Sequence, residues 1–211
     1  MNLEALQEEF LKRLATELRR YGFQSKAADQ AFYRIMPFGW WGFHLAFIPH
    51  DADFDVTGDV AIRVDKVENL VNADNKVLSR REKSETATIG AELGNIADHR
   101  QKRWTVASAS DLESTARSLI TEFAKFGIPY LERFSDLETM LEALADNQPS
   151  GWLHSPVHAS RCKRAVALAL VLGKKDRAAE LAQGCETFLQ SRMDPGLPSF
   201  KAFSAKQVRS G

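Results

Sequence analysis

The residues best equipped for chemistry crowd into one stretch, FGWWGFHLAFIPHDADFD, which brings His44, His50, Asp51, Asp53 and Asp55 close together in sequence. Imidazoles and carboxylates serve as ligands for divalent transition metals and as acid–base pairs. If the strands on either side of the turn pair, His44, Asp53 and Asp55 can be presented toward one surface. The spacing matches no closed ligand motif, however. A turn after Pro49 leading into a strand with an acidic, solvated face accounts for the same residues, and such charges also discourage edge pairing. No metal or other cofactor is expected.

Other polar groups carry weaker signals. His154 and His158 in HSPVH have the spacing of two helical ligands, but Pro156 interrupts a continuous helix and no third ligand lies near. They read as surface histidines in a loop at a helix start. The basic runs SRREK and HRQKRW, with Trp104 available for stacking, are short. Lys and Arg total 28 against 28 Asp and Glu, so the net charge is 0 and no global field attracts a polyanion or an anionic membrane. Neither nucleic acid nor membrane is an expected partner. There is no glycine-rich phosphate loop, nucleophile elbow, CxxC pair or HExxH helix. LGKKD lacks the upstream glycine and the following Ser or Thr of a phosphate loop.

The elements that must position these groups are legible in the periodicity. Leu3, Leu6, Phe10, Leu14 and Leu18 recur at helical spacing before Gly22, which gives an amphipathic helix with a C-terminal stop. After the polar QSKAAD the period becomes two. Trp41, Phe43, Leu45 and Phe47 then share one side of a strand, opposite Gly42, His44 and Ala46. In DFDVTGDVAIRVD, Phe54, Val56, Val60, Ile62 and Val64 share one parity with Gly58, whereas Asp53, Asp55, Thr57, Asp59, Arg63 and Asp65 take the other. This pattern predicts an antiparallel sheet with one packed and one solvated face. A long connection follows, then TATIGAELG and RWTVAS as a strand hairpin with a basic tip.

Ser110 with Glu113 and Ser135 with Glu138 have capping-box spacing and open two helices, the first ending at Gly127 and Pro129. RCKRAVALALVLG and DRAAELAQGCETFL form a helical hairpin about GKK, and the tail from Asp194 is expected to be extended. The fold class expected is α+β, an antiparallel sheet of about four or five strands with helices on one face plus a C-terminal helical hairpin. Residues 1–147 form the α+β domain, 148–193 the hairpin and 194–211 the tail.

Two stretches, LRRYGFQSKAADQAFYRI and FGIPYLERFSDLETMLEAL, carry a resemblance. Their helix, Gly-Phe, polar turn and aromatic strand, followed later by a helix and a Pro-aromatic-Leu-x-x-Phe segment, resemble a bacterial cytoplasmic domain family of unknown function. Some relatives of that family are candidate toxin-immunity proteins. The resemblance spans Asn2 to Asn147, and it implies a protein partner without assigning a catalytic residue.

The function expected is a non-enzymatic, cytoplasmic protein-binding module that uses Trp40, His44, Asp53, Asp55, Asp59 and Arg63, with a basic toxin domain as partner. Cys162 and Cys185, in a chain without a signal-peptide pattern, are expected as reduced thiols. No apolar run reaches membrane-spanning length. Two alternatives stand beside this reading: a small-molecule- or metal-binding enzyme using His44, His50 and Asp53, and a self-associating domain.

Overall fold

The computed structural model describes residues 2–26 and 30–209, so the expected polar turn at residues 27–29 lies outside the described residues. The fold is α+β, with a six-stranded antiparallel sheet and many helices. The chain divides into two compact units, neither continuous in sequence: residues 1–62 with 91–132, and residues 63–90 with 133–211. A boundary after residue 147 coincides with neither.

In the first unit, α1 (Leu3–Leu18) begins where the Asn2 side chain accepts the Ala5 N–H at 2.9 Å. It buries Leu6, Phe10, Leu14 and Leu18, and a short 3₁₀ turn closes on left-handed Gly22. The strands are β1 (Gln24–Lys26), β2 (Ala31–Met36), β3 (Gly39–Pro49), β4 (Phe54–Val64), β5 (Ile89–Glu92) and β6 (Trp104–Val106). Their order is β1-β2-β3-β4-β5, with β6 also pairing β4. The Phe32↔Phe43 and Val56↔Trp104 registers bring core side chains of neighbouring strands together.

One sheet face is packed by aromatic rings. Phe43 lies 4.6 Å from Phe123, Phe23 meets Phe123 at 5.4 Å, and Phe10, Phe47 and Phe54 contact one another. Aromatic pairs of this kind add about 0.5–1.5 kcal/mol each to their area burial. Gly58 is required in this face, since a Cβ there would stand 2.8 Å from the Phe43 ring.

Several expectations change. The RWTVAS strand does not form a hairpin with the strand before it. Residues Leu93–Asp98 make helix α4, capped by the Glu92 carboxylate, and β6 pairs with β4 through Phe54↔Val106. Helix α5 (Leu112–Glu122) starts at Asp111, and Gly127 and Pro129 do not end the helical path. A wide π-turn (Phe123–Gly127) leads into α6 (Ile128–Phe134). Pro129 follows this widened turn directly, at the second residue of α6, where a π-bulge or a proline marks the usual place of a helix kink.

The second unit is helical: α2 (Asp65–Val71), α3 (Arg80–Glu85), α7 (Leu137–Ala145), α8 (Pro149–His154), α9 (His158–Val171), α10 (Lys175–Ser191) and α11 (Leu197–Arg209). Helix α3 opens with a Ser79–Glu82 capping box inside the stretch read as connection, whereas α7 is capped by Asp136 instead of Ser135. Helices α9 and α10 form the expected hairpin, turning at left-handed Gly173. The tail is not extended. Asp194 organises its start by accepting the Gly196 and Leu197 N–H groups, and fully buried Phe200 anchors α11, which packs against α9 and α10.

Candidate functional site

The second sheet face of the first unit, opposite the aromatic core, holds the candidate site. Antiparallel register pairs Ala31 with His44, Tyr33 with Gly42 and Ile35 with Trp40, which sets these side chains on one face. Gly42 leaves room between its neighbours. The Tyr33 ring packs 5.0 Å from Trp40 and 5.3 Å from His44, and Trp40 and His44 lie 6.0 Å apart. The Lys26 ammonium stands 5.7 Å from the Tyr33 ring centre. Trp40 is only 9% exposed, so it is not the free edge residue expected, whereas Ile35 beside it is 79% exposed.

The acids of β4 do not form the solvated stripe expected. Thr57 and Ala61, of the same parity, are 5% and 7% exposed, so this part of the face is covered. Asp59 loses most of its water and faces the charge of Glu92, which together push its carboxyl up to about 6. Glu92 is held in place by accepting N–H groups of Gly94, Asn95 and Lys102. Asp55 accepts the Thr105 hydroxyl at 2.7 Å, and that bond, with His50 and Arg103 nearby, holds its carboxyl below the ordinary aspartate value. Asp53 is half-buried in the turn, where its carbonyl accepts the His50 N–H. His50 therefore belongs with Asp55, at 3.3 Å, and His44 with the aromatic group. Among the described residues no cluster of three or more His, Cys, Asp or Glu is placed to hold a metal ion.

Arg63 is not presented to a partner. It is 4% exposed in the second unit and donates to Asp65, to the Lys83 carbonyl and to Thr86. Thr86 accepts from Asn72, which reaches fully buried Glu68, and Glu68 takes the Arg164 guanidinium at 2.8 Å. This is an internal polar chain in which the charges satisfy one another. His154 and His158 are half-buried, at the end of α8 and the start of α9. His154 lies 4.8 Å from Phe134, and loss of water, then Arg133, lowers its pKa; His158 sits between Trp152 and Phe188.

Sequence reasoning missed Tyr33 and Ile35, although a signal existed. In AFYRIM they take the parity opposite Phe32 and Arg34, which is the parity of His44 and Trp40 across the turn. Compared with protein-family models, curated proteins and solved structures, the chain matches none.

Proposed function

We propose that this chain is a non-enzymatic protein-binding module whose partner docks on the second sheet face over β2 and β3. One observation carries the reading: Ile35 is 79% exposed on a face where Tyr33 and Trp40 are already packed against each other. A single exposed aliphatic residue is ordinary. One framed by an ordered aromatic group has the make-up of an interface anchor, since aromatic side chains are enriched at interface centres and fixed rotamers lower the entropy cost of docking.

Charge has a smaller part than the sequence suggested. Asp55 already has partners in Thr105, His50 and Arg103, so the patch favours an apolar partner surface over a basic one. A toxin domain, implied by the resemblance, is one such partner, but its basic character is not what this face selects.

Affinity capture from the cytosol of the source cells tests the reading, using tagged wild type, Ile35→Asp and the control Val77→Asp, whose residue is 91% exposed in the second unit. The expected result is one protein held near equimolar ratio by wild type and control and lost with Ile35→Asp. Identical capture by all three, or capture by none, would defeat it.

A further inference from the structure

The groove between α1 and α5 in the first unit is a separate site, independent of the docking face. We infer that it binds a small organic anion with an apolar body, such as an aryl or alkyl phosphate or carboxylate. Its volume is about 700 Å³, within the usual range for small-molecule pockets of roughly 300–1,000 Å³. Ala116 and Ile120 of α5 and Ala124 of the π-turn after it recur every four residues and supply an apolar floor, with Ala116 and Ile120 only 3% and 7% exposed. Arg13 from α1 and Arg20 from the 3₁₀ turn after it, with Arg117 and Lys125 from the other wall, supply the charge.

The charges do not cancel. Four basic side chains line the groove against Glu17, which pairs with Arg20, Glu113 and the neighbouring Glu9, which pairs with Arg13 at 3.3 Å, so one positive charge is left over. Glu113 is bonded by both Arg117 at 3.0 Å and Arg13 at 2.9 Å, which together hold its carboxyl below the ordinary value. A further anion can join them, because Arg13 and Arg117 carry ten donors between them and the carboxylates of Glu113 and Glu9 offer only about eight acceptor sites. Arg13 Nε is buried without an acceptor among the described residues, and Lys125 rests over the Phe126 ring at 4.8 Å. An anionic head between Arg13 and Arg117 would find paired donors, while the apolar body covers Ile120 and its alanine neighbours.

The test is titration of phenyl phosphate into the full chain by calorimetry, with inorganic phosphate and phenol in parallel. Saturable binding of phenyl phosphate, tighter than either fragment, is expected. It should weaken by about tenfold or more in Arg117→Gln, which removes a charged hydrogen bond, and stay unchanged in Arg80→Gln. Arg117 is 75% exposed, so its replacement leaves the fold intact. No saturation, equal weakening in both variants, or inorganic phosphate binding as tightly as phenyl phosphate would overturn the inference. Ile35→Asp leaves the groove untouched, so failure of one reading does not entail failure of the other.

Discussion

Trp40 and His44 flank Gly42 on β3 with their rings 6.0 Å apart, and the ring of Tyr33, the residue paired with Gly42, packs against both. A Cβ at Gly42 would stand 2.8 Å from His44 Nε2 and 2.9 Å from Trp40 Cζ3. The candidate docking face is therefore built on the absence of one carbon.

Gly42→Ala is expected to destabilise the protein by about 1–3 kcal/mol, the usual cost of overpacking. Gly184→Ala, in α10 with nothing within 4 Å of its would-be Cβ, should instead stabilise by about 0.5–1 kcal/mol through helix propensity. Urea unfolding of the two variants beside wild type checks both signs. A harmless Gly42→Ala would mean the rings are loosely packed.

Asp59 gives a pH signature. Its carboxyl is raised from 3.8 to about 6 by burial first and by Glu92 second. Near pH 3 and below, under the ordinary value of 3.8, the group is protonated in folded and unfolded chains alike and contributes nothing. Between about pH 3 and pH 6 the unfolded chain ionises while the folded chain holds its proton, so a penalty grows to at most about 3 kcal/mol and stays constant above. Asp59→Asn should match wild type near pH 3 and exceed its stability by about 1–3 kcal/mol at pH 7.5. A difference that is flat across unfolding curves at these pH values would contradict the assignment.

Arg161 is fully buried and donates to the carbonyls of Leu144 and Asp146 and to the Asn147 side chain. A lysine cannot reproduce a planar fork with several donors. Arg161→Lys should cost about 2–4 kcal/mol, because acceptors at the end of α7 and in the turn after it are left unpaired. Thermal unfolding followed by circular dichroism measures this. Wild-type stability in that variant would mean that water replaces the guanidinium.

Period-two patterning located β3 and β4 and their core face, because alternation is a local property of the chain. Alternation does not say whether the other face is covered, which is why Asp59 was read as solvated and Arg63 as available. Burial of Arg63 depends on Thr86 and Lys83, far along the chain, and no local pattern announces such a partner. The tail was misread for a similar reason: Pro195 and Pro198 suggest an extended segment, but Pro198 falls in the first turn of α11 and Phe200 supplies the anchor. The shared strand parity of His44 and Trp40 was legible, whereas Ile35 needed the β2–β3 register to bring it beside them.

The central claim is that docking is carried by the apolar face and not by the acids of the β3–β4 turn. The most direct measurement is the Kd of the captured partner for wild type, Ile35→Asp and the double variant Asp53→Ser with Asp55→Ser. Loss of an interface anchor of about 2 kcal/mol predicts at least a thirtyfold weakening with Ile35→Asp, and the double variant should change Kd by less than about tenfold. The reverse order, with the aspartates dominant and Ile35→Asp neutral, would contradict the account.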